Sequence, residues 1–142
     1  MTERTPIAPL APLARAFAPL AGATSLAILC QAVTAGEFVS QEGRDGWIEV
    51  HDMVGYVTLL LAVATAVVGL VAYRRASRAL VWGSVALAVL VAVQTVIGHL
   101  ITDAEQDGWI GVHVPLALLV FGLTIWLTVR STAARRSSVP AP

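Results

Sequence analysis

Residues 53–101 read MVGYVTLLLAVATAVVGLVAYRRASRALVWGSVALAVLVAVQTVIGHLI. Two apolar runs without Asp, Glu, Lys or Arg, about 53–73 and 79–101, flank the basic link Arg74-Arg75-Ala76-Ser77-Arg78. Each run meets the ~20 predominantly apolar residues that a helix needs to cross a bilayer. Lipid offers backbone groups no partners, so such a segment crosses as a helix. The link is short, so the two helices must be antiparallel neighbours.

Outward from this pair, two further runs qualify, at about 16–36 and 110–129. The sequence therefore predicts an all-α, transmembrane, antiparallel four-helix bundle over 16–130. A segment 1–15 precedes it, and a polar, proline-bearing tail at 131–142 is expected to be disordered. Composition agrees. Hydrophobic residues make up 57% and charged residues 13%, against about 25% charged in soluble domains. Most of the surface must face the lipid bilayer. No basic stripe is present, which argues against a nucleic-acid partner. The single cysteine, Cys30, lies in an apolar run and reads as a packing residue. Covalent haem attachment is excluded because no Cys-x-x-Cys-His occurs.

The charges are sorted. The link between the second and third helices and the stretch after the fourth hold Arg74, Arg75, Arg78, Arg130, Arg135 and Arg136. The other two connections hold Glu37, Glu42, Asp45, Glu49 and Asp52, then Asp103, Glu105 and Asp107, with Arg44 their one arginine. The positive-inside rule then places both termini in the cytoplasm of a multi-pass plasma-membrane protein. A competing reading takes Arg4, Arg15, the first apolar run and Val33-Thr34-Ala35 as a cleaved secretory signal.

The chain repeats itself at a spacing of 62 residues. Asp45-Gly46-Trp47-Ile48-Glu49-Val50-His51 matches Asp107-Gly108-Trp109-Ile110-Gly111-Val112-His113 at six of seven positions. The same offset pairs Gly36-Glu37 with Gly98-His99, and glutamine recurs one residue out of register as Gln31 and Gln94. A two-helix unit, about 16–73, is thus copied as 79–130, with a pseudo-twofold axis along the membrane normal. Asp45 and Asp107 suit the N-cap, and Trp47 and Trp109 suit the interfacial aromatic belt. Six residues on, His51 and His113 lie roughly 9 Å into their helices. Pro115 favours a later start for the fourth helix, nearer His113.

A duplicated histidine on helices two and four is the most informative feature. Ionisable groups inside membrane segments are expensive and mark function by default. If both face the bundle centre, His51 and His113 are suited to the two axial positions of a haem iron. Gly36, Gly98 and Gly55 would leave room for a flat macrocycle, although glycine is also an ordinary membrane packing residue. His99 is a candidate third ligand, propionate partner or proton-handling group. Equally, each histidine can serve as an interfacial polar residue. Glu37, Glu49 and Asp52 can orient an imidazole or form a solvated loop.

These residues resemble two membrane families. The first is the haem A synthase family, whose halves are four-helix bundles related by duplication. The resemblance rests on Gln31 to Gly36, Gln94 to Gly98, and on the histidines opening helices two and four, His51 and His113. It covers about residues 20–130 at the level of pattern. It implies paired histidines that ligate haem at the outer ends of the even-numbered helices. The chain departs in being half as long and in lacking a cysteine pair in its first outer loop, so the synthase reaction is not implied. The chain also resembles an uncharacterised family of small bacterial four-helix membrane proteins. These share the Gln-to-Gly stretch, the His-x-x-x-Gly pattern of His51 and Gly55, and a histidine in the place of His113. Four-helix cytochromes b are similar in architecture only.

Three functions follow as expectations. The first is a haem b site on His51 and His113 near the outer leaflet, for electron transfer with a redox partner or for haem handling. The second is a cofactor-free structural or partner subunit. The third is a zinc or copper site from His51, His99, His113 and nearby carboxylates. No nucleophilic triad, phosphate loop or zinc-protease helix motif points to an enzyme.

Overall fold

The computed structural model describes residues 11–40 and 45–136. They form α1 (Ala11–Ser40), α2 (Asp45–Tyr73), α3 (Arg78–Thr102), a 3-10 turn (Asp107–Trp109) and α4 (Ile110–Arg136), with no strand among the described residues. All four helices are long and apolar enough to cross a bilayer. The protein is a multi-pass integral membrane protein. Glu3, Arg4, Glu42, Arg44 and residues 137–142 lie outside the described residues.

Each helix packs on its neighbours in sequence, and α4 closes the ring against α1. Among the described residues, the backbones of the diagonal pairs, α1 with α3 and α2 with α4, stay apart. This is an up-down-up-down bundle. Many large apolar side chains, such as Leu60, Trp82 and Leu119, are exposed on the outside of the bundle, as a lipid solvent allows.

The arginine link is a tight turn. The Tyr73 carbonyl accepts from Ala76 N at 3.0 Å and Ser77 N at 2.9 Å. Ser77 then caps α3, its hydroxyl accepting from Leu80 N at 3.3 Å. Arg74, Arg75 and Arg78 are left exposed. Near this end the core is well filled by Phe17, Tyr73, Leu80 and Leu127, with the Phe17 and Tyr73 rings edge to face at 5.2 Å. Buried threonine hydroxyls satisfy themselves on the preceding turn, as Thr58 and Thr65 do on Val54 O and Leu61 O, each at 2.8 Å.

One hydroxyl pair joins helices. Thr124 donates to Phe121 O at 2.7 Å, and Ser25 on α1 donates to Thr124 Oγ1 at 2.7 Å. A double-mutant cycle of Ser25→Ala and Thr124→Val should return a coupling of about 0.6 kcal/mol, with ~1.7 kcal/mol as a ceiling. Reversible unfolding in mixed detergent measures it; zero coupling contradicts the contact.

Four expectations need correction. α1 extends at both ends beyond the expected 16–36. The tail boundary at 131 is also displaced. Residues 131–136 continue α4, with Ser131 fully buried and its hydroxyl on Thr128 O at 3.0 Å. Asp107 is not a cap: Gln106 precedes the 3-10 turn, and Asp107, like Asp45 in α2, is an acid within the first turn. There it still complements the helix dipole. Finally, α4 begins at Ile110, with Pro115 inside it. The missing proline N–H leaves the Gly111 carbonyl without its usual donor, and the helix continues regardless because packing outweighs local preference.

Candidate functional site

The end of the bundle that carries Trp47 and Trp109 is hollow. A cavity of about 450 Å³ lies there, lined from all four helices. His51 of α2 and His113 of α4 both border it. These are diagonal helices, so the two imidazoles reach one space from opposite sides, one from each copy of the repeat.

His51 is firmly held. Its Nδ1 lies 2.9 Å from Thr34 Oγ1. The Thr34 hydroxyl has one hydrogen, and that hydrogen is directed to Gln31 O at 3.0 Å. Thr34 therefore accepts from His51 Nδ1–H, and the lone pair of a neutral ring resides on Nε2. The Phe38 ring packs edge-on against the imidazole at 5.3 Å.

His113 is held differently. Its Nδ1 is buried without a hydrogen-bond partner, as is Gln94 Oε1. What the two copies share is a clamp on the backbone. Gln31 Nε2 donates to His51 O at 2.7 Å, and Gln94 Nε2 donates to His113 O at 3.0 Å. The glutamines that looked out of register thus perform the same task.

That equivalence resets the register of the odd helices. Aligned on Gln31 and Gln94, the partner of Gly98 is Ala35 rather than Gly36. Both Ala35 and Gly98 line the cavity, and Gly36 does not. No side chain approaches Gly36. The even helices keep the original spacing, since His51, Asp52, Gly55 and Thr58 and their copies His113, Val114, Ala117 and Val120 all line the cavity. The two spacings differ by one because the α1–α2 connection of the first copy differs in length from the α3–α4 connection of the second.

Of the other two glycines, Gly55 sits where close approach is needed, and Gly98 lies beside the second imidazole. A Cβ on Gly98 would come 3.7 Å from His113 Cε1, and a Cβ on Gly55 would come 3.0 Å from Gln31 Nε2. Gly55 therefore makes room for the clamp, and Gly98 abuts the second imidazole.

His99 also lines the cavity, with both ring nitrogens engaged. A carbonyl can only accept, so Nδ1–H donates to Thr95 O at 2.8 Å. Nε2 then accepts from Tyr56 OH at 3.0 Å. A third-ligand role for His99 would first require breaking the Tyr56 bond. Of the acids considered, Asp52 lines the cavity; Glu37 and Glu49 do not.

The chain matches no protein-family model, no curated protein and no solved structure. The chemistry must therefore be read from the site. Among the described residues, no three of His, Cys, Asp or Glu converge to hold a metal ion. This counts against a zinc or copper site of three such side chains. What remains is a mostly apolar chamber bordered by His51 and His113, whose Nδ1 environments differ, and by the doubly bonded His99, of the size and character expected for a small-molecule or cofactor site.

Thr34, Phe38 and Tyr56 were missed by sequence reading. None is repeated in the second copy. Thr34 is detectable as a hydroxyl one helical turn from Gln31, on the same face; Tyr56 carries no comparable signal.

Proposed function

We propose that this protein binds a b-type haem through His51 and His113 and uses it for one-electron transfer or for haem handling. The observation that carries the reading is the meeting of two imidazoles, one from each repeat, on one cavity between diagonal helices. Three features support the fit. The donor set is two neutral nitrogens, which suits haem iron. Hydrogen bonding to Thr34 leaves His51 Nε2 as the free donor, the outer-shell arrangement that orients ligating histidines. Gly98 leaves the space next to the His113 ring clear of a side chain. A bound haem would supply a reversible one-electron couple. The chain's own part is to hold the backbone at both histidines through the glutamine clamps, to orient the His51 ring through Thr34, and to exclude water with apolar walls.

By the positive-inside rule, the site lies near the outer leaflet of the plasma membrane, with both termini in the cytoplasm. The resemblance to one half of the haem A synthase family supports the same assignment of His51 and His113.

A cofactor-free structural subunit is the second reading. It is favoured by the structural work that the repeat already does: the glutamine clamps, and Trp109 Nε1 donating to Gln106 Oε1 at 3.1 Å. Oxidised and reduced absorption spectra of detergent-purified protein from haem-replete cells separate the two. A Soret band with a sharp reduced α-band is expected; a colourless protein would falsify the haem assignment.

Thr34→Val tests the support of His51. It removes the acceptor for Nδ1–H at little change in volume. Haem affinity should fall by about 10- to 100-fold, the usual effect of losing an outer-shell partner. Titration of apoprotein with haemin reads this directly, and unchanged affinity would show that Thr34 plays no part.

A further inference from the structure

The cavity has a mouth, and its position is informative. Of the residues that line the cavity, four are exposed: Leu29 and Ala32 on α1, and Val114 and Leu118 on α4. Leu29 is 48% exposed, Val114 54% and Leu118 69%. All four are apolar, and all border the α1–α4 seam. No lining residue of α2 or α3 is exposed. The Ser25–Thr124 hydrogen bond ties the seam together one helical turn from Leu29, on the side toward the arginine link. On the far side of this tie from the arginine link, the seam is bordered by these four exposed cavity-lining residues.

The depth of the opening decides what it faces. Leu118 lies nine residues beyond Trp109, which is about 14 Å along a helix. Leu29 lies eleven residues before the end of α1 at Ser40, about 16 Å by the same rise. A tryptophan at the interfacial belt therefore puts Leu118 near the middle of a ~30 Å hydrocarbon core. An opening there, rimmed by leucine, valine and alanine, faces acyl chains rather than water.

We infer that the α1–α4 seam is a lateral portal through which the ligand of the histidine cavity enters from the bilayer. The ligand class is a membrane-dissolved amphiphile with a broad apolar body. The inference rests on the haem reading for the identity of that amphiphile, and on exposure and depth for the route. On the opposite side, a Tyr56–His99 hydrogen bond bridges α2 to α3, and no residue of those helices that lines the cavity is exposed.

Two measurements in lipid nanodiscs test the portal, both in a Cys30→Ala background. The first needs no haem. A nitroxide is attached at Ala117→Cys on the cavity wall, and separately at Ala35→Cys in case one variant folds poorly. Its collisions with oxygen, which concentrates in lipid, and with a water-soluble nickel chelate are compared by EPR. Oxygen should dominate at both positions; preference for the nickel chelate, or protection from both, overturns the portal.

In the second, Ala32→Cys and Leu118→Cys are bridged across the seam with a bifunctional maleimide. Haemin uptake from donor vesicles should slow by about one decade or more, within the range over which association rates vary among variants. Bridging after loading should leave the spectrum unchanged. Uptake at the unbridged rate overturns the route. Wild-type protein that takes up no haemin at all defeats the haem reading instead, and the collision measurement then decides the portal by itself.

Discussion

If His51 and His113 hold haem as proposed, alanine at position 51 should remove the low-spin Soret and α-bands and most of the haem with them. His51→Ala deletes the imidazole that Thr34 orients and Phe38 braces, while leaving the backbone carbonyl that Gln31 clamps. His113→Ala should also end the low-spin spectrum, with a different residue of colour. The His113 ring lacks an outer-shell partner on Nδ1, so on the proposed haem reading it would be the weaker of two anchors. Its loss should leave a five-coordinate, high-spin haem still held by His51. Pyridine haemochrome quantitation gives haem per protein, and the charge-transfer region of the oxidised spectrum gives the spin state. Low-spin spectra retained in both variants would remove His51 and His113 as ligands. Equal retention of haem in both would remove the difference between the two rings.

A valine at position 69 should be the most damaging substitution for the bundle itself. Gly69 lies where α2 meets α3 and α1. A Cβ built there would come 3.0 Å from both Phe17 Cε2 and Ser84 Cβ, and would collide with Ser84 Oγ. None of these neighbours can move easily. Phe17 and Ser84 are fully buried, and the Ser84 hydroxyl is bonded to Val81 O at 2.9 Å. Overpacking of this kind costs about 1–3 kcal/mol, and Gly69→Val belongs at the upper end because it adds two methyls beyond the Cβ. The measurement is the unfolding midpoint in mixed detergent. Gly22→Ala is the control. No atom outside its own turn lies within 4 Å of a Cβ there, so helix propensity should raise stability by up to about 1 kcal/mol. If both variants behave alike, the close approach at Gly69 is wrong.

Much of the architecture was readable because bilayer physics is a strong constraint. Apolar runs of spanning length flanking Arg74-Arg75-Ala76-Ser77-Arg78 leave few alternatives to an antiparallel helix pair, and the repeated Asp-Gly-Trp-Ile supplies the second pair. Helix ends were less readable. Continuation of α4 through Ser131 depends on burial against other helices, which a polar composition conceals. The site was half readable. His51 and His113 announced themselves by repetition, and Gly55 and Gly98 by their place in the pattern. Gly36 was misplaced because the 62-residue offset was applied to every helix, whereas the glutamines obey their own. Thr34 and Tyr56 act by side-chain geometry between helices and occur in one copy only, so no periodicity revealed them.

The divergence of the two copies has a bearing on how a guest would lie. Two identical halves would offer a flat guest two equivalent poses, related by half a turn about the axis, and each would be equally populated. Here one flank of the chamber presents Asp52 and His99, the latter bonded to Tyr56, while the position that repeats Asp52 on the other flank is Val114. A guest with one charged edge therefore meets a wet wall and a greasy wall. Its two poses differ in energy, and a single orientational isomer should fill the pocket.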